Sequence, residues 1–148
     1  MRKYIGTVLL CFCLWAVASC GDSDLKKVAK ALQITAESIG TLQTTVIDAN
    51  ALGLVSQEDT AQILELCIKA NQAGKEATAV IRAISELSDP TRAQLVGILA
   101  PVIRSVGRLL DEGTLAIKNE ETRGKVRLAL LTAQSALNTV QIVLASGG

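Results

Sequence analysis

Residues 24–53 read DLKKVAKALQITAESIGTLQTTVIDANALG, and their spacing decides the fold. Leu25, Val28, Leu32, Thr35, Ile39, Leu42, Val46, Ala49 and Gly53 recur at alternating intervals of three and four. A helix gathers such positions into one stripe, so the segment predicts an amphipathic α-helix whose seam has one polar interruption, Thr35. Gly53 is placed to stop it, since glycine takes the left-handed conformation at little cost. Ser56, with Asp59 three residues later, reads as the cap of the next helix.

The same spacing continues outward along the chain. Thr60, Ile63, Cys67, Ala70, Gly74, Ala77, Ile81 and Ile84 form a second seam, widened by Leu64, Leu66, Val80 and Leu87. Ser88-Asp89-Pro90 closes that helix and opens a third, with Asp89 as the expected cap and Pro90 in a first turn where its missing N–H does no harm. Leu95, Leu99, Val102, Val106 and Leu109 make the third seam, flanked by Val96, Ile98, Ile103 and Leu110. Pro101 falls in its middle and predicts a kink, because the carbonyl of Gly97 loses its donor. Gly113 is the expected stop. Asn119 with Glu120 and Glu121 opens the fourth helix, which carries Val126, Leu130, Ala133, Leu137, Val140 and Leu144 and frays at Gly147-Gly148.

No useful length of chain alternates with period two, so strands are not expected. Short connections make consecutive helices antiparallel neighbours. The predicted fold is therefore all-α: an antiparallel four-helix bundle built from two helical hairpins. A shift of 62 residues supports the hairpin pairing, since it aligns Glu58-Asp59-Thr60 with Glu120-Glu121-Thr122, Leu66 with Leu128 and Gln72 with Gln134. Small residues four apart (Ala36 and Gly40, Ala70 and Gly74, Ala93 and Gly97, Ala129 and Ala133) suggest close helix approaches, because glycine inside a helix otherwise costs up to about 1 kcal/mol.

The N-terminus has a different character. Arg2 and Lys3 precede an apolar run from Tyr4 through Ala18, 15 residues long. A bilayer-spanning helix needs about 20 apolar residues, so the run is short for a span and suits a cleaved signal helix. It ends in Val17-Ala18-Ser19-Cys20, which resembles the lipobox of bacterial lipoproteins. The resemblance implies removal of residues 1–19 and attachment of fatty acyl chains, such as palmitate, to Cys20. Residues 20–24 then form a short polar tether and 25–148 the helical domain. Gly21, where enterobacteria use Asp for inner-membrane retention, favours an outer-membrane destination, facing the periplasm or the surface. Ala16-Val17-Ala18 also fits an ordinary secretory cleavage site, and an uncleaved anchor is a further reading.

Export agrees with the cysteine count of four. Cys11 and Cys13 leave with the signal, Cys20 is acylated, and Cys67 alone keeps a thiol. With no disulfide to form, the domain rests on its core. Cys67 lies in an apolar stripe and reads as a small buried hydrophobe.

Composition excludes much chemistry. The chain has no His, and Tyr4, Phe12, Trp15 and Met1 all precede Cys20. The processed chain thus lacks an imidazole for general-base work or metal ligation, a phenol for proton relay and a ring on which a base could stack. Losing Arg2 and Lys3 from 15 basic residues leaves 13 against 14 acidic, a balance that does not steer toward nucleic acid.

The candidate sites are few. Residues 48–59 resemble an EF-hand calcium loop, with Asp48 and Asn50 at the first and third places, Gly53 at the sixth, Ser56 at the ninth and Asp59 at the last. Leu52 offers no oxygen at the fifth place and Asp59 is shorter than the usual Glu, so no metal or other cofactor is expected. Glu58-Asp59, Asp111-Glu112 and Glu120-Glu121 are paired carboxylates at helix ends, where dipole compensation accounts for those at helix starts. Lys26, Lys27 and Lys30 sit near the acylated end, on a face that is solvated or meets anionic headgroups. Arg104, Arg108, Arg123, Lys125 and Arg127 read as surface.

The functional expectation is a non-enzymatic, lipid-anchored envelope protein, a helical interaction or structural module. Its partners are membrane lipid through Cys20 and an envelope protein of unknown identity. Two other readings stand beside it: a carrier of a small apolar ligand or lipid, and an exclusion lipoprotein of phage or plasmid origin.

Overall fold

Four helices build the structure: α1 (Asp24–Ala51), α2 (Gln57–Arg82), α3 (Asp89–Asp111) and α4 (Glu120–Ala145). It is a computed structural model that describes residues 23–111 and 117–146. The expected signal segment 1–19, Cys20, Gly21, Glu112, the stop at Gly113 and the Gly147-Gly148 end lie outside the described residues. No strand occurs among the described residues.

The helix ends show why these segments start and stop where they do. Leu52 caps α1, and Gly53 follows with φ +69°, in the left-handed region. The Gly53 amide donates to the Asn50 carbonyl and the Leu54 amide to that of Ala49, each at 2.9 Å, which satisfies two carbonyls the helix leaves orphaned. Ser56 caps α2: its Oγ accepts the Asp59 amide at 3.0 Å and donates to Asp59 Oδ2 at 2.8 Å. Asn119 caps α4 through Oδ1, which accepts the Thr122 amide at 2.8 Å.

Three expected boundaries move. The second helix ends at Arg82, so Ile84 and Leu87 lie in a connecting segment, with Leu87 packed against the core as the chain crosses to α3. Asp89 is the first helical residue of α3, and the capping position falls to Ser88, whose carbonyl accepts the Arg92 amide at 2.9 Å. In that frame Asp89 still places its charge on the positive end of the helix dipole, and Pro90 lacks only an N–H that the first turn leaves unused. Asp24, expected in the tether, is already helical. Helix α3 runs on through Pro101, which lies on its exposed side together with Gly97. Water can therefore reach the carbonyl that proline leaves without a donor.

The stripes fill one core. In the third and fourth helices every predicted seam residue is buried: Leu95, Leu99, Val102, Val106 and Leu109, then Val126, Leu130, Ala133, Leu137, Val140 and Leu144. They meet Ile39, Leu42 and Ile63 from the first hairpin, and Val55 and Ile117 close the core at the end that holds both intra-hairpin turns. Each helix packs against its two sequence-cyclic neighbours, and the backbones of the diagonal pairs α1–α3 and α2–α4 do not approach closely. The arrangement is the up-down-up-down bundle that short links dictate.

The α1–α4 contact is the most extensive. Small side chains permit it: Ala31, Thr35 and Ser38 on α1, and Ala129, Ala133 and Ala136 on α4, are all buried. Thr35 Oγ1 donates to the Ala31 carbonyl at 2.9 Å and Ser38 Oγ to that of Ile34 at 2.8 Å, so both hydroxyls enter the interface already satisfied. The other proposed close approaches do not form. A Cβ at Gly40, Gly74 or Gly97 would meet nothing within 4 Å. Of the four small-residue pairs, only Ala129 and Ala133 are both buried with no glycine between the helices.

The internal echo is real in burial and shifted by one residue. An offset of 63 superposes Ser56 on Asn119 as caps, and then Ile63 on Val126, Leu66 on Ala129, Cys67 on Leu130, Ala70 on Ala133 and Ala73 on Ala136, all buried. The offset of 62 pairs buried Leu66 with Leu128, which is 66% exposed. Identities picked the wrong register because the repeat lives in the hydrophobic pattern.

Candidate functional site

The lipid-attachment residue expected at Cys20 lies outside the described residues. The site is therefore built from what adjoins it. Asp24 opens α1, and its carboxylate holds two cations: Lys27 Nζ at 3.5 Å from Oδ1, and Arg92 Nη2 at 3.4 Å from Oδ2. Arg92 is largely buried and also donates to carbonyls at the end of α4, so it ties the starts of α1 and α3 to the finish of α4. That pole of the bundle is the one that receives the N-terminal segment.

From this pole a shallow groove of about 470 Å³ runs between α1 and α4. Lys27 and Lys30 flank one end, Ile34 and Leu131 supply exposed aliphatic surface, and Thr132 and Thr139 border the α4 side. The threonine hydroxyls donate to the carbonyls of Leu128 and Ser135 on their own helix, at 2.9 and 3.0 Å, and so present only acceptor lone pairs to the groove. Its charges are the two lysines.

Exposed apolar side chains extend the surface beyond the groove. On α4, Leu128, Leu131 and Ile142 are 66%, 45% and 69% exposed. Together with Ser135, Asn138 and Ala145 they recur at intervals of three and four, a second stripe offset from the buried one. Residues 128–146 contain no charged side chain. The sequence reading missed this stripe because it asked only which positions fill the core. The signal was present as an uncharged run too long for one buried face. By length and composition α3 and α4 are apolar enough to cross a membrane; 28% and 44% of their most apolar windows are buried within the bundle.

The other candidate residues have local structural roles. Among the calcium-loop residues, Asp48 is exposed in the last turn of α1, Asn50 Nδ2 donates to the Val55 carbonyl at 3.2 Å, and Ser56 and Asp59 form the α2 cap. Asp59 is buried with its carboxylate held by Ser56. Among the described residues no three Asp, Glu, His or Cys side chains converge.

Cys67 is buried between α1 and α2, its Sγ 3.8 Å from the Ile39 carbonyl. Desolvation pushes its thiol up from 9.0 to about 11, the opposite of what a nucleophile needs. Glu65 and Glu121 are held below the usual carboxylate range by hydrogen bonds and charge from Lys69 and Lys125. Both are solvent-exposed i,i+4 pairs and carry no catalytic signature.

No protein-family model matches the chain, and neither a curated protein nor a solved structure shows significant similarity to it.

Proposed function

We propose that the protein is a lipid-anchored, non-enzymatic module of the bacterial envelope, held in a membrane by acylated Cys20 and presenting the helical bundle to a partner. One relationship carries this reading. Cys20 stands four residues before Asp24, the first residue of a rigid helix, so the lipobox joins the bundle through almost no linker. A tether of two or more acyl chains holds firmly, because each buried methylene contributes about 0.8 kcal/mol. An enzyme of this class would need perturbed groups converging on a cleft. Here Glu58-Asp59 and Glu120-Glu121 stand at helix starts, and the thiol is both buried and shifted away from reactivity.

The outer membrane is the destination we favour from Gly21, and the envelope partner is met through aliphatic surface and arginine, since the processed chain has no aromatic ring. Intact-mass measurement of the protein extracted from membranes tests the anchor. The expected species begins at Cys20 and carries the added mass of a diacylglycerol; an unmodified thiol or a retained Met1 removes the reading. Crosslinking in membranes followed by affinity capture tests the partner, and the absence of any reproducible neighbour counts against it.

A further inference from the structure

We propose that the α1–α4 groove is the face on which the bundle lies against an anionic phospholipid bilayer. The inference rests on the anchoring at Cys20 and adds an orientation to it.

Placement is the first reason. Asp24 stands four peptide steps from Cys20, and four steps reach at most about 14 Å when extended. The acylated end therefore keeps the first turns of α1, which carry Lys27 and Lys30, close to the headgroups. A bundle tied so short meets the surface with one of the faces around that pole.

Charge is the second. The groove's charged lining residues are Lys27 and Lys30, both basic, and the opposite wall is the stretch of α4 with no charge. Asp24, at the start of the same helix, is engaged by Lys27 and Arg92. Basic side chains beside an acyl anchor are attracted to anionic headgroups within a Debye length of the surface.

Apolar surface is the third. Ile34 and Leu131 lie in the groove, and Leu128 and Ile142 continue along α4, so aliphatic side chains enter the headgroup boundary beside the lysines. That pairing of an uncharged face with a basic flank is what holds an amphipathic helix in a bilayer interface. A second copy of the chain suits the groove less well. It would bring two sets of the same lysines to one contact, across a stripe interrupted by Ser135 and Asn138.

An environment-sensitive probe tests the orientation. Leu131→Cys places a reactive thiol in the groove, and Ile68→Cys places a control on exposed α2; Cys67, buried, stays unlabelled in the folded protein. The acylated full chain is reconstituted with phosphatidylglycerol–phosphatidylcholine vesicles or with phosphatidylcholine alone, each containing a lipid-borne quencher. The Leu131→Cys probe is expected to shift to the blue and be quenched on anionic vesicles while the Ile68→Cys probe is unchanged. Lys27→Gln with Lys30→Gln lowers the docked-to-undocked ratio about 25-fold, about fivefold per lysine. A Leu131→Cys probe that ignores anionic vesicles overturns the proposal, even where the protein floats with them. So does a probe that responds to protein concentration without vesicles, which assigns the groove to a second copy. The intact mass of the same sample decides the anchor separately: missing acyl mass sinks anchoring, and a groove probe silent on an acylated sample sinks docking alone.

Discussion

Arg92 Nη1 lies 2.6 Å from the carbonyl oxygen of Val143, 51 residues further along the chain. The same guanidinium donates through Nε to the Leu87 carbonyl at 3.2 Å and reaches Asp24. A helix leaves its last carbonyls without partners, and here a cation from a neighbouring helix fills that role at the negative end of the α4 dipole. One side chain thus fastens three helices at the pole where the chain enters the fold.

Replacing Arg92 should therefore cost more than an exposed ion pair. Arg92→Ala removes the charged donor from the Val143 and Leu144 carbonyls, leaving Val143 the Ser146 hydroxyl at 3.1 Å, and is expected to lower stability by about 2 kcal/mol, as for hydrogen bonds to charged groups. Arg92→Lys should recover less than half of that, because one ammonium cannot reach Val143, Leu87 and Asp24 together. Urea unfolding followed by far-ultraviolet circular dichroism reads both, and equal stability of Arg92→Ala and the parent would refute the assignment.

The glycines sort into two groups with opposite signs. Gly40→Ala, Gly74→Ala and Gly97→Ala each place a methyl in open space inside a helix and should stabilise by about 0.5–1 kcal/mol. Gly53→Ala forces a left-handed conformation on an L side chain and should destabilise by about 1–2 kcal/mol. The same unfolding measurement separates the groups; a loss of stability at Gly40 would restore the close approach that the sequence suggested.

Overpacking should hurt where the helices do come close. Ala133→Leu inserts extra methylenes at a fully buried position of α4 that faces the core and should cost about 1–3 kcal/mol. Leu128→Ala, on the exposed stripe, should change stability by less than about 0.5 kcal/mol. If the two variants unfold at the same urea concentration, the register of α4 is wrong.

Alkaline pH should weaken the fold through Cys67. Its thiol stays protonated up to about 11 in the folded chain and ionises near 9.0 when exposed. Above the lower value the unfolded chain binds fewer protons than the folded one, so stability present at neutral pH falls between about pH 9 and 11. Cys67→Ala should remove that part of the slope. Reaction with a thiol reagent at pH 8 should be slow in the folded protein and complete in denaturant.

Removing a cap should shorten or loosen the helix it begins. Asn119→Ala and Ser56→Ala each delete a side-chain acceptor for a first-turn amide and should cost about 1 kcal/mol. Hydrogen exchange at the Thr122 and Asp59 amides reports the loss locally.

Much of the fold was legible because it is written in one code. Alternation of three and four gave the buried face of α3 residue by residue and the centre of that of α4, whose flanks Thr122, Ala129, Ala136 and Val143 lay outside the seam, and Gly53, Ser56 and Asn119 act at the ends where they were expected. Boundaries without a glycine were harder. Nothing local to Ile84 or Leu87 says that the helix has stopped, because what ends it is the crossing to α3 and the fit of Leu87 against the core. The small-residue pairs misled for a related reason: spacing shows that two residues share a face, not which face. Ala129 and Ala133 point inward, whereas Gly40 and Gly97 point to water. The groove was least legible, since it needs the antiparallel pairing of α1 with α4 to bring Lys27 and Lys30 beside Leu131 and Thr139.

An even number of antiparallel helices returns the polypeptide to its starting pole, so residue 145 finishes beside residue 24 while the turn at Gly53 stands a full helix away. Twenty-eight residues of α1 span about 42 Å. A tag appended after the last helix would thus be crowded by the start of α1, and one inserted at that remote turn would project from the opposite pole. Whoever wishes to visualise or capture the protein in living cells should build at the turn.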